Sequence, residues 1–284
     1  MNPWILAARP KTLSAAVVPV LIGTALADRI VWWVFACALL GAMLIQIATN
    51  FINDALDFKK GADTGERLGP VRVTQAGLLS ADAVMRGAWI SLFGAALCGI
   101  PLILRGGWPM LAIGLTSIAA AYLYTGGPYP LAYHGLGEVF VLLFFGVVAV
   151  GGTFYAHTLR LAQSAIAGGF AAGSLATVLL VINNLRDVDG DRRSRKLTTV
   201  VRFGETFARA EIAFFALAPF VAAALIAWMR NQWWLMLTLV ALPLALIVVR
   251  CESVSRGREL NRCLALSGAL QWLFGVLFVI GSAI

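Results

Sequence analysis

Two short segments of the chain set an amide four residues before a carboxylate, with a second carboxylate about one turn further on. The first carries Asn50, Asp54 and Asp57, and the second carries Asn183, Asp187 and Asp191. Residues three or four apart share a helical face, so each segment presents its amide and two acids as a column if the helix continues. Acids at a helix C-terminus face the negative end of the dipole, and clustered acids repel. Something cationic should offset both costs. Mg²⁺ takes carboxylate oxygens, keeps several waters and shares phosphate oxygens with its ligands. Two facing columns with Mg²⁺ between them describe a diphosphate site. Asp189 points off its column and reads as a solvated charge or a secondary ligand.

Cations lie beside both groups: Lys60 and Arg72 after the first, Arg186 and Lys196 with the second. They can bind phosphate, Arg as a fork and Lys as a point charge. They also fit ordinary enrichment of basic residues on one membrane face, and both readings stand. For Arg192, Arg193 and Arg195 the second reading is the better one. A third segment gathers Tyr122, Tyr124, Tyr129, Tyr133, His134 and Glu138 without any Lys or Arg. Tyrosine faces stabilise a cation, which an electrophilic reaction would need. Interfacial tyrosine belts are the alternative, and Tyr129 is assigned to one. His157 reads as solvent-exposed in a short turn.

These groups need elements to hold them. The chain has 284 residues, 60% of them hydrophobic and 13% charged, with a mean hydropathy of +0.85. That excludes a soluble enzyme, a disordered chain and a disulfide scaffold. The net charge of +8 would suit nucleic acid, but the composition favours a membrane, so no nucleic-acid partner is expected. There is room for about nine spanning helices, at roughly 13–27, 31–53, 83–104, 108–125, 135–156, 161–185, 207–229, 232–250 and 263–283. The segment before the first reads as a short amphipathic lead-in rather than a cleavable signal. All but four of the 22 Lys and Arg fall on one side, the exceptions being Arg29, Arg105, Arg160 and Arg230. This predicts a cytoplasmic N-terminus and an outside C-terminus. The fold class is all-α and polytopic, one domain over 1–284, with cytoplasmic Asp-rich loops near 54–82 and 186–206.

Both acidic groups then share the cytoplasmic face, in a parallel rather than inverted repeat. No acid lies at a bilayer midplane. Both facts argue against a transporter. Cys37, Cys98, Cys251 and Cys263 form no CxxC pair and read as small buried hydrophobes.

Asn50-x-x-Asn53-Asp54-x-x-Asp57, the following Asp63, and Asn183-x-x-Arg186-Asp187-x-x-x-Asp191 resemble the UbiA-type intramembrane aromatic prenyltransferases over nearly the whole chain. Three stretches resemble the 1,4-dihydroxy-2-naphthoate polyprenyltransferase branch: Ala8–Leu13, Gly69–Thr74, and Tyr124–Pro128 through Tyr133–Glu138. Arg195 departs from the branch, which has Gly before the lysine matched by Lys196. The resemblance implies a menaquinone-pathway enzyme of the inner membrane. It would join a polyprenyl diphosphate to dihydroxynaphthoate with decarboxylation, giving demethylmenaquinone. Asp54, Asp57, Asp187 and Asp191, with Asp63, would hold Mg²⁺. Asn50, Asn53 and Asn183 would orient carboxylates or phosphate oxygens, and Lys60, Arg72, Arg186 and Lys196 would neutralise the diphosphate. Tyr124 would face the allylic cation, and Tyr133, His134 and Glu138 would place the acceptor. Sister enzymes using 4-hydroxybenzoate, haem or a chlorophyll precursor are the nearest alternatives. Donor length and oligomeric state are not readable from the residues.

Overall fold

A computed structural model describes residues 2–61 and 68–284. Asp63 lies outside the described residues. All regular structure among them is helical. A short helix α1 (Pro3–Ala8) leads through a 3₁₀ turn into α2 (Ser14–Ala25) with a bend of 48°. Arg9 sits in the left-handed region at φ 51, and Pro10 follows it, so the helix cannot run through. The carbonyl that this break frees on Ala8 accepts from Asn50 Nδ2 at 2.9 Å.

Next come α3 (Trp32–Lys59), α4 (Ala81–Gly106) and α5 (Trp108–Leu123). The fifth apolar segment is broken into α6 (Gly137–Leu142), a π-helical stretch (Leu143–Val148) and α7 (Ala149–Thr158). Then follow α8 (Gln163–Arg186), α9 (Val188–Arg193), α10 (Thr199–Phe203) and α11 (Glu205–Arg230). A 3₁₀ stretch (Trp233–Ala241), α12 (Leu242–Val254) and α13 (Leu260–Ala283) complete the chain. Among the described residues, seven helical segments are long and apolar enough to cross a membrane, or eight with the bent α1–α2 pair. At 16 residues, α5 is shorter. The chain is a polytopic membrane protein.

The main apolar core joins α2, α7, α8, α11, α12 and α13, and a second joins α1, α3, α4 and α5. The π-helical stretch meets α8 through Gly146, Gly169 and Gly173. A Cβ added to Gly173 would stand 2.6 Å from the Leu142 carbonyl oxygen. Small residues let helices approach this closely where lipid gives no hydrophobic drive to association.

The lengths of α3 and α8 set the site. At 28 residues α3 is about 42 Å long, against about 30 Å of hydrocarbon. Its last turns therefore stand clear of the membrane and carry the first acidic column intact. The second column is not intact. Helix α8 stops at Arg186, Asp187 leaves helical geometry at φ −97 and ψ 9, and Asp191 belongs to α9. Two aspartates and a glycine after Asp187 favour this break, being poor helix formers.

Two further expectations need correcting. Cys251 and Cys263 are joined as a disulfide, Cα–Cα 5.8 Å, because the short connection between α12 and α13 sets them face to face. Cys37 and Cys98 are half-buried and free, rather than fully buried. His157 is not exposed but 4% accessible: Val31 N–H donates to Nδ1 at 3.1 Å, and Nε2 lies 3.2 Å from Thr24 Oγ1. The bend between α2 and α3 folds over the α7 end and covers it.

Candidate diphosphate site at the ends of α3 and α8

Asp54 is almost wholly buried, at 1% accessibility. Its carboxylate accepts the backbone N–H groups of Val73 and Thr74 at 3.2 and 3.1 Å, together with the Thr74 hydroxyl. It thus anchors the loop that carries Arg72. One turn on, Asp57 accepts from Arg72 Nη2 at 3.2 Å and from the Tyr133 hydroxyl at 2.9 Å. Asn53 Oδ1 accepts from the Thr125 hydroxyl, and Lys60 Nζ donates to the Thr125 carbonyl. The end of α3 is therefore stitched to the tyrosine-rich segment between α5 and α6. Burial lowers the pKa of the Lys60 amine, with the charge of Asp57 opposing it. Asn50 does not enter this network: it holds Ala8 and the Thr12 hydroxyl.

On the α8 side, Arg186 is fully buried and forks onto Asp187 at 2.8 and 2.6 Å. It also donates to Asn183 Oδ1 and Asn261 Oδ1 at 2.6 and 2.9 Å. Asn261 in turn donates to the Leu68 carbonyl at 3.0 Å. Gly69 lies against the guanidinium, where a Cβ would stand 2.5 Å from Nη2. The loop after α3 thus touches both acidic groups, through Asp54 and Asp57 on one side and Arg186 on the other. Asp191 lies 3.7 Å from Lys196. Asp189 is exposed, 3.7 Å from Arg192.

Tyr133 is where the two sides meet. Its hydroxyl holds Asp57, Lys60 stands 4.5 Å above its ring, and Lys196 stands 5.8 Å from it. Its carbonyl accepts the Leu197 N–H at 3.0 Å. Glu138 is buried, with one oxygen held by Asn184 at 3.0 Å and by Thr199 at 2.7 Å. It braces the Lys196–Thr199 strap against α8. His134 packs within its own loop, stacked on the exposed Tyr129 at 3.5 Å, with Nδ1 2.8 Å from the Pro130 carbonyl. Sequence reasoning assigned no role to Thr74, Thr125, Asn184, Thr199 or Asn261, although Thr74 and Thr125 fall in the stretches that carry the resemblance, because their roles depend on contacts across the fold.

No three Asp, Glu, His or Cys side chains converge as a ready-made ligand set among the described residues. The donor chemistry still suits a hard cation. Asp191 Oδ2 is buried and has no hydrogen-bond partner among the described residues. The Asp191 carboxyl is pushed up to about 6, chiefly by burial. Lys196 opposes that shift, and the charges of Asp187 and Asp57 add to it. Three aspartates thus act on one another's charge around an oxygen that lacks a partner, which a divalent cation would relieve.

Directly beneath lies an apolar cavity of about 490 Å³. Tyr124 is at its site end; Gln46, Phe140, Phe144 and Phe145 line its walls, and Met110 lies further down. From Tyr124 to Met110 the α5 backbone descends about 21 Å. The geometry therefore joins an acid-and-base rim to a long oily shaft.

A 1,4-dihydroxy-2-naphthoate octaprenyltransferase of Mycobacterium tuberculosis is 38% identical over 279 residues, covering 96% of this chain and 94% of that one. The Escherichia coli protein of the same name is 36% identical, covering 98% and 94%. A UbiA homolog from Archaeoglobus fulgidus bound to GPP and Mg²⁺ shares the fold, with TM-score 0.70, 15% identity and coverage of 99% and 100%. Residues 16–275 match the UbiA prenyltransferase family. With a family match over most of its length and relatives this similar across nearly the whole chain, the protein belongs to the UbiA prenyltransferase family.

Proposed function

We propose that the protein transfers a polyprenyl group from its diphosphate to 1,4-dihydroxy-2-naphthoate, giving demethylmenaquinol, the hydroquinone form of demethylmenaquinone. The observation that carries this reading is the junction at Tyr133. Two acidic groups and their cations meet there, immediately above an apolar shaft. The relatives that bear this activity in their names share more than a third of their residues with this chain. Asp57, Asp187 and Asp191 would hold Mg²⁺, which would neutralise the diphosphate and polarise the allylic C–O bond. Asp54 fixes the loop that brings Arg72 to the diphosphate. Lys60, Arg72 and Lys196 meet the leaving oxygens. Tyr124, at the mouth of the shaft, presents its ring to the allylic carbon. Tyr133, with Glu138 bracing the strap opposite, borders the acceptor. The ring carbon that bears the carboxylate forms the new C–C bond, and CO₂ and diphosphate leave. The chain acts as one domain of about nine spans, with its N-terminus and site on the cytoplasmic side of the inner membrane.

Membranes containing the protein, supplied with labelled polyprenyl diphosphate and Mg²⁺, should yield lipid-extractable demethylmenaquinol from 1,4-dihydroxy-2-naphthoate, recovered as the quinone after oxidation in air. Product from 4-hydroxybenzoate alone, or from neither acceptor, would overturn the assignment.

A further inference from the structure

In this site the carboxylates suited to metal and the cations suited to phosphate are one another's partners. Asp57 pairs with Arg72 at 3.2 Å, both side chains less than a tenth exposed. Asp191 pairs with Lys196 at 3.7 Å, with side-chain exposures of 11% and 20%. The third pair is built differently. Arg186 forks onto Asp187 at 2.6 and 2.8 Å, is held by Asn183 and Asn261, and has Gly69 pressed against it. It has no room to turn. The other two contacts are longer, and both adjoin Tyr133, which bonds Asp57 and lies beneath Lys196.

We propose that Arg72 and Lys196 are exchangeable counter-ions. Before ligands arrive they neutralise Asp57 and Asp191. When Mg²⁺ and a diphosphate enter together, the carboxylates pass to the cation and the two basic groups pass to the phosphate oxygens. This rests on the diphosphate-site reading above and adds a rule for how the ligands bind. Mg²⁺ alone sets positive charge against Arg72 and Lys196. Diphosphate alone draws the cations away from two buried carboxylates. A buried charge stripped of its partner is strongly unfavourable, so each ligand alone binds poorly and the pair binds with positive coupling. The arrangement has a further consequence that a purely phosphate-binding role lacks. Removing Arg72 or Lys196 frees a carboxylate, so Mg²⁺ alone binds more tightly while diphosphate binds more weakly.

The test is a calorimetric titration of Mg²⁺ into the full-length protein in lipid nanodiscs, with and without inorganic diphosphate. Free Mg²⁺ is corrected for complexation in solution. The wild-type affinity for Mg²⁺ is expected to rise about tenfold or more when diphosphate is present. Arg72→Gln and Lys196→Gln are expected to bind Mg²⁺ alone several-fold more tightly than wild type and to lose much of the gain from diphosphate. Lys196 is partly exposed, so Lys196→Gln carries the test if Arg72→Gln does not fold. Wild-type affinity that ignores diphosphate, or variants that bind Mg²⁺ alone no better than wild type, would overturn the exchange. If the wild type binds no Mg²⁺ even with diphosphate, the diphosphate-site reading falls, and the exchange falls with it.

Discussion

Tyr133 does more in this fold than line an interface. Its hydroxyl donates to Asp57 while its ring lies under two ammonium groups. Tyr133→Phe keeps the ring and removes one hydrogen bond to a charged group, worth about 1.5–3 kcal/mol. If that bond sets the carboxylate for catalysis, kcat/KM falls about tenfold or more even at temperatures where the variant, measured in detergent, remains folded. An unchanged rate would remove Tyr133 from the machinery. Thr74 makes the companion case. It lies away from the acids in sequence, yet its hydroxyl and N–H both bind Asp54. Thr74→Val, close in shape, should lower activity by loosening the Arg72 loop, with the loss appearing in the affinity for diphosphate. Asp54, Asp57, Asp187 and Asp191 were legible as candidates because a chain with only 14 acids leaves few competitors. What sequence could not separate was their present occupation. Asp54 holds backbone, Asp57 and Asp191 hold movable cations, and Asp187 holds a locked arginine. Those differences come from partners such as Thr74, Tyr133 and Asn261, which are distant in the chain.

At the scale of elements, hydropathy located the apolar helices, of which seven, or eight with the bent α1–α2 pair, are long enough among the described residues to cross a membrane. It did not foresee how segments end or break. The first column survives because α3 overruns the membrane, and the second breaks because Asp187 leaves the helix of α8. The π-helical stretch in the fifth segment has no hydropathy signature either. It follows from backbone packing at Gly146, Gly169 and Gly173. Glycines in the same fold therefore differ sharply in what they tolerate. Gly173→Leu would force backbone apart and should lower the thermal midpoint by several degrees or prevent folding. Gly114 lines the apolar cavity, and a Cβ there meets nothing within 4 Å. Gly114→Leu should fold like wild type and fill part of the shaft. The expected signature is a raised KM for long polyprenyl donors with short donors little affected. An equal change across donor lengths would mean the prenyl chain does not pass Gly114.

At the scale of the whole molecule, charge asymmetry bears on orientation in the membrane. The four cations on the far side are Arg29, Arg105, Arg160 and Arg230. Two of them are tied into the fold, Arg105 by the carbonyls of Ala156 and His157, and Arg230 by Asp28. The opposite side carries the site and the other basic residues, the arrangement that retention of Lys and Arg in the cytoplasm produces. Substrate chemistry points the same way, because a charged diphosphate donor cannot cross the hydrocarbon to reach a site facing outward. Labelling decides the matter. In a background lacking all four native cysteines, a cysteine at Leu161, which is 75% exposed in the turn before α8, should react with a membrane-impermeant maleimide added outside intact cells. A cysteine at Asp189, whose side chain is 82% exposed beside the site, should react only after the membrane is opened. The reverse pattern would place the acids outside and leave the diphosphate with no route to them.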